Sequence, residues 1–300
     1  MKKFLIQIFA FLAVVLFLGN LIALVVDRQL GKSKFYKTNF IANLGESNSK
    51  FNYVLFGSSR GLTTLDTRLI DSTLSIKGIN GSMDDTGLPS HFLMIQHFFE
   101  SGSTADYCVL TIDQGHMKSS GTEINDNDYR FVPYSSRDYV LNYYQQYEKG
   151  IVRPLSSSRY FPLLAYSYYN MELFYPGLIS WARPAFQNRF DEKGDYTYPD
   201  DSTHPPAVDR VETLLTVISN PLLLEVQEYL KSKNCKLILY IAPYYGKRLE
   251  VSNPNSFPLI NHSEILKETS VFYDVDHVNP KGKLMATQQF ISDFQEYILR

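Results

Sequence analysis

The residues best suited to chemistry in this 300-residue chain stand directly behind short apolar runs. The stretch VLFGSSRG, Val54 to Gly61, breaks off in Gly57-Ser58-Ser59-Arg60. A serine at a strand-to-helix turn holds its hydroxyl at the mouth of a sheet, and a backbone N–H there can face a developing oxyanion. Near the other end stands FYDVDHVNPKG, with Asp274, Asp276, His277, Asn279 and Gly282. A serine needs a base to become nucleophilic, and a histidine needs an acceptor to fix its tautomer. Asp274 precedes His277 by three residues, so a tight turn lets its carboxylate reach Nδ1. The chemistry these types support is acyl transfer through a serine.

Other residues are read around that set. Gly78-Ile79-Asn80-Gly81-Ser82 follows a second apolar run, and its glycines let backbone N–H groups approach a ligand. Arg60 is read either as a binder of an anionic substrate or as half of a surface ion pair. Asp276 is read as a helix cap or as a carboxylate behind the histidine. His91, His97, His204 and His262 have no comparable acidic partner and read as ordinary; His116 follows the third strand and is given no role. No Cys/His spacing suggests zinc, and Asn125 to Asp128 lacks the glycine and terminal glutamate of a calcium loop, so no metal or other cofactor is expected.

Regular elements must position these residues. Short apolar strands are predicted at 51–57, 75–81, 106–113 and 236–245, with Phe272-Tyr273 as the remnant of a fifth. Helical spacing runs over 65–74, over 90–102 with Ser90 as N-cap, over 211–234 with a break at Pro221, and over 279–299. Strand-helix alternation predicts an α/β fold, a parallel sheet with helices on both faces. Sites in such sheets form at the carboxyl ends of the strands. The stretch from Gln114 to about Pro206 is rich in Tyr, Pro, Asn, Ser and Asp and interrupts the rhythm as an elaborated insertion.

The first segment has its own logic. Phe4 to Val26 is apolar except for Gln7 and Asn20. At about 1.5 Å per residue it reaches across a bilayer core. Lys2 and Lys3 precede it, which favours a cytoplasmic N-terminus and an exported remainder. No Ala-x-Ala site follows, so an uncleaved anchor over 1–26 is preferred to a signal peptide, with a polar juxtamembrane linker over 27–50. The whole chain, at 44% hydrophobic and 20% charged, has ordinary globular composition, and 51–300 is expected to form the α/β domain. A net charge of −2 makes no electrostatic case for nucleic acid. Cys108 and Cys235 lie in strand-like runs and read as buried thiols, although a bridge between them stays open.

Taken in order, the Gly-Ser-Ser turn, the glycine block and Asp-x-x-His before a terminal helix resemble the SGNH, or GDSL-like, hydrolase superfamily over Phe51 to Arg300. The resemblance implies a three-layer α/β/α sandwich of flavodoxin-like kind. It puts Ser59 in the nucleophile position, with His277 as general base and Asp274 as its orienting acid, and the Ser59 and Gly81 N–H groups in the oxyanion hole. The family's Gly-x-Asn-Asp block departs here to Ile112-Asp113-Gln114-Gly115-His116, which lacks the oxyanion Asn; Gln114 or Asn80 would have to stand in. With the anchor, the pattern looks like bacterial membrane-bound SGNH-like proteins of cell-surface polysaccharide modification. That implies an esterase or O-acyltransferase outside the inner membrane acting on acylated saccharide, sometimes beside a multi-spanning acyltransferase. The alternative is a catalytically inactive module that binds a glycan or a partner.

Overall fold

The computed structural model of the chain describes residues 1–200, 205–206 and 210–298; His204 lies outside these residues. It is a mixed α/β protein with a parallel central sheet and one apolar N-terminal helix. That helix, α1 (Lys2–Gly31), is the one described helix long and apolar enough to cross a membrane. It is followed by α2 (Lys37–Glu46), and then the strand-helix rhythm starts.

The rhythm runs β1 (Lys50–Phe56), α3 (Ser59–Thr63), α4 (Thr67–Leu74), β2 (Gly78–Asn80), α5 (Leu88–Glu100) and β3 (Thr104–Thr111). Among the described residues, the stretch that follows holds short helical turns and the short helices α6 (Asp138–Tyr147), α7 (Pro154–Ser157), α8 (Pro162–Tyr168) and α9 (Tyr175–Ala182). The chain then continues as β4 (Glu212–Val217), α10 (Pro221–Ser232), β5 (Lys236–Ile241), β6 (Lys247–Ser252), β7 (Leu259–Asn261) and α11 (Pro280–Ile298). Contacts divide the chain into two compact units, one of Met1–Asn43 with Thr122–Asn188, the other of Leu44–Gly121 with Arg189–Arg300.

The second unit holds the sheet, ordered β2-β1-β3-β5-β7 and parallel throughout. Register pairs Val54 with Ile79 and with Cys108, and Cys108 with Leu237. Tyr53, Leu55, Val109, Ile238 and Tyr240 share one core cluster with Leu65 and Ile70 on the α4 side and with Phe290 and Phe294 of α11. Phe290 and Phe294 are fully buried and stacked at 5.1 Å. Burying each contributes about 1.5–3 kcal/mol, so α11 is firmly seated and the turn before it is carried to a set place. Phe56 has the opposite parity along β1 and meets Phe98 of α5 edge-on at 5.9 Å. Cys108 and Cys235 are free, buried thiols.

Three expectations about elements are corrected. Residues 211–234 are not one broken helix. Thr213, Thr216 and Val217 are β-branched and lie in β4, which pairs in parallel with β6 as a separate two-stranded sheet. Pro221 starts α10 rather than kinking it, because a first-turn residue needs no N–H; Asn220 caps this helix by accepting from the Leu222 N–H at 3.1 Å. The fifth strand of the sheet is β7 and not Phe272-Tyr273; Phe272 makes only an isolated antiparallel bridge with Val278. Ser90 sits inside α5, whose cap is Gly87 with Pro89 in the first turn.

Candidate active site

Strand order reverses direction at β1, with β2 on one side and β3 on the other, so the crevice at the carboxyl ends of β1 and β3 is a topological switch point. Gly57, Ser58 and Ser59 lie just past β1, and Asp113 just past β3. The chain turns sharply at Gly57, where any Cβ would lie 2.7 Å from the Thr111 Cβ. Ser58 is the N-cap of α3, yet its hydroxyl leaves the helix and donates to Asp113 Oδ2 at 3.0 Å. Ser59 is the first helical residue, so its N–H lies outside the helical ladder. The Ser59 side chain is half-buried and points away from Asp113's network to His277, with Oγ 2.8 Å from Nε2.

The loop before α11 builds the other half. Asp274 Oδ1 accepts the N–H groups of Asp276 and His277, both at 2.8 Å, which winds the Asp-x-x-His segment into a turn. The same carboxylate then lies 2.9 and 3.0 Å from His277 Nδ1. Burial pushes the Asp274 carboxyl up, but the hydrogen bonds from the His277 ring and the turn's N–H groups outweigh it and hold it below the usual carboxylate range. The turn is closed by the Phe272–Val278 bridge and by Asn279, whose Nδ2 donates to Ser270 O and whose Oδ1 accepts the Gly282 N–H. Gly282 is required because a Cβ there would lie 2.1 Å from the Val271 carbonyl. Asn279 therefore supplies the cap expected of Asp276, which is exposed.

The oxyanion expectations change. Gly81 does not offer its N–H to the crevice: it donates to the Leu55 carbonyl at 2.8 Å and extends the sheet ladder. Its lack of a side chain serves packing, since a Cβ would lie 2.5 Å from the Phe56 ring; a Cβ on Gly78 would meet Tyr53 in the same way. Asn80 is fully buried, and its amide donates to Gly61 O and Asp195 Oδ1 while its Oδ1 accepts the Ser82 N–H. It has no donor left to swing into the crevice. Gln114 is exposed beside Asp113, and its N–H donates to the Tyr244 hydroxyl at 3.0 Å.

Arg60 is neither a substrate clamp nor a surface ion pair. It is buried, with Nη1 on Asp113 Oδ1 at 2.8 Å, Nη2 on the Ala242 and Pro243 carbonyls at 2.8 and 2.7 Å, and its guanidinium 3.6 Å from the centre of the Tyr244 ring. Burial raises the Asp113 carboxyl, but Arg60, His116 and the Ser58 hydroxyl pull it below its ordinary value. The Asp113 N–H donates to His116 Nδ1 at 3.2 Å, and the His116 ring meets buried His91 edge-on at 5.2 Å. His91 is held neutral, its imidazolium pushed down to about 3 by burial and by His116. His262 has an acidic partner after all, Asp293 of α11, at 2.8 Å. That partner lies 31 residues away and was invisible to local spacing.

Tyrosines complete the surroundings. Tyr198 stacks on Tyr273 with ring centres 4.3 Å apart and planes at 14°, and leans on the His277 ring at 4.9 Å. Both tyrosines are half-buried, and burial followed by the Asp274 charge pushes the Tyr198 phenol up to about 12. The segment bearing Tyr198 is tied down by Asp195, which accepts the Thr67 N–H at 2.7 Å and the Asn80 amide at 2.9 Å. Tyr198 belongs to the Tyr-rich stretch, but nothing in its spacing separates it from the other 21 tyrosines. No protein-family model matches the sequence, and no curated protein matches it either.

Proposed function

We propose that this protein is a membrane-anchored serine esterase or O-acyltransferase of SGNH type, acting outside the cytoplasmic membrane on acyl groups of a cell-surface glycan. The observation that carries the reading is the relay from Ser59 Oγ to His277 Nε2 at 2.8 Å and from His277 Nδ1 to Asp274 at 2.9 Å. The sheet order, with α4 and α11 on one face and α5 on the other, supports a three-layer, flavodoxin-like arrangement. In the reaction Ser59 Oγ attacks the acyl carbonyl as His277 takes its proton. His277 then protonates the leaving alcohol, and the acyl-enzyme passes to water or to a sugar hydroxyl. The Ser59 N–H, at the first turn of α3, and the carboxamide of Gln114, exposed beside Asp113, are the donors this reading assigns to the oxyanion. The Tyr198–Tyr273 pair beside His277 offers a flat amphipathic wall suited to a saccharide. Lys2 and Lys3 at the start of α1 support export of the sheet unit, where a multi-spanning acyltransferase is the partner this reading allows.

A second reading, an inactive glycan- or partner-binding module, is favoured by one observation: the Gly81 and Asn80 donors are spent inside the fold. Labelling with a serine-reactive fluorophosphonate separates the two. Labelling of the full chain that disappears in Ser59→Ala supports the enzyme. Absence of labelling, with glycan binding that survives loss of Ser59, supports the module.

A further inference from the structure

The first unit contains α1 and a compact helical segment wrapped on it. Over its first half α1 is bare on every side: Phe4, Phe9 and Phe17 are each at least 64% exposed. From Gly19 onward it is covered by α8, by the π-helical turn Asn170–Phe174, and by α9. Glycines permit close approach on both sides of this contact. A Cβ on Gly19 would lie 3.1 Å from a Leu163 methyl, and one on Gly177 would lie 2.2 Å from Val26 Cγ1. Three hydrogen bonds bind the layers: Leu163 N–H to Asn20 Oδ1 at 3.1 Å, Tyr166 OH to Asp27 Oδ1 at 3.0 Å, and Gln29 Nε2 to Ser180 O at 3.2 Å.

Depth follows from helix geometry. A span that starts at Phe4 and rises 1.5 Å per residue leaves an apolar core of about 30 Å near residue 23 or 24. The Leu163 contact with Gly19 and Asn20 then lies about 6 Å inside that boundary, and the Ser180 contact with Gln29 about 8 Å outside it. An N–H at the start of a helix has no water to bind at that depth and needs a protein acceptor. Asn20 supplies one to α8, which accounts for one of the two amides in the apolar stretch.

The outer surface of the wrapped segment matches the same boundary. Tyr160 to Ala182 contains one charged residue, Glu172, and is flanked by Arg153, Arg159 and Arg183. Most of its exposed side chains are apolar or aromatic, with Ser167, Asn170 and Glu172 the polar ones: Tyr168 is 65% exposed, Met171 66%, Tyr175 54%, Leu178 44% and Trp181 57%. Amphipathic rings and flanking cations are the composition of a segment seated between acyl chains and headgroups. We propose that residues 160–182 form an interfacial collar, embedded in the leaflet where α1 leaves the membrane, with lipid as the occupant of this apolar surface. The proposal rests on α1 being a membrane span and is independent of the chemistry at Ser59.

Trp181 is the only tryptophan in the chain and is a built-in reporter. The full protein is reconstituted in liposomes of defined phospholipid with no other protein. Expected are blue-shifted tryptophan emission, loss of most of the signal when the lipid is brominated close to its glycerol backbone, and protection from aqueous iodide. A Trp181→Phe, Met171→Trp double variant should behave alike. Iodide quenching without quenching by brominated lipid would overturn the collar. A protein still retained through an alkaline carbonate wash would then keep its anchor, and the bare surface would belong to a protein partner. Release by the wash would defeat the anchor, and the collar with it.

Discussion

Ser59 Oγ lies 2.8 Å from His277 Nε2, although 218 residues of chain separate them. Two firmly seated elements create this contact: the turn after β1, closed against Thr111, and the turn before α11, closed by Asn279. Ser59→Ala is expected to abolish fluorophosphonate labelling and ester turnover, and Asp274→Asn to lower kcat by about 10⁴-fold by releasing the His277 tautomer. Circular dichroism should be unchanged in both. Turnover retained at the parent rate in Ser59→Ala would refute the nucleophile.

The two carboxamides near the crevice should behave oppositely. Gln114 is exposed, so Gln114→Ala should leave the melting temperature alone and reduce kcat by about 10²-fold, and an unchanged kcat would remove its amide from the oxyanion hole. Asn80 bridges Gly61, Ser82 and Asp195, so Asn80→Ala should act on stability, leaving buried polar groups unpaired at about 1–3 kcal/mol each. Parallel melting curves and steady-state kinetics on the pair check the assignment.

Arg60 should prove a fold residue. Removing it strands the Asp113 carboxylate and two carbonyls, and Arg60→Met should cost about 3–5 kcal/mol in denaturant unfolding. At temperatures where the variant stays folded, its KM ratio for anionic and neutral esters should equal that of the parent. A selective loss for the anionic ester would return Arg60 to the substrate.

His91 predicts acid sensitivity. Its folded-state pKa is depressed from 6.5 to about 3, so between these values the unfolded chain binds more protons than the folded one. Stability therefore falls as pH is lowered through that window. Asp113 and His116 face the same ring, and Asp113 acts in the opposite sense by favouring its charged form. The melting temperature should drop from pH 6.5 downward, and His91→Leu should flatten the slope over pH 4–6.5. An unchanged slope would assign the acid sensitivity to other groups.

Local sequence carried much of this protein. Short apolar runs mark β1, β3 and β5, and Asp274 lies close enough to His277 in sequence for the turn itself to join them. The apolar length of α1 needs no tertiary context. What required the folded chain was everything set by partners far apart. The motif points to Ser59, but the fate of the neighbouring Ser58 hydroxyl, claimed by Asp113, is tertiary. Whether Gly81 and Asn80 are free to donate depends on Leu55, Gly61 and Asp195, and whether Arg60 is buried depends on the carbonyls just past β5. The Tyr-rich stretch divides between a collar on α1 and the Tyr198 wall beside His277, a division its composition does not record. Hydrophobic periodicity reports burial along one element, whereas a donor's availability is decided by whichever acceptor the fold brings to it.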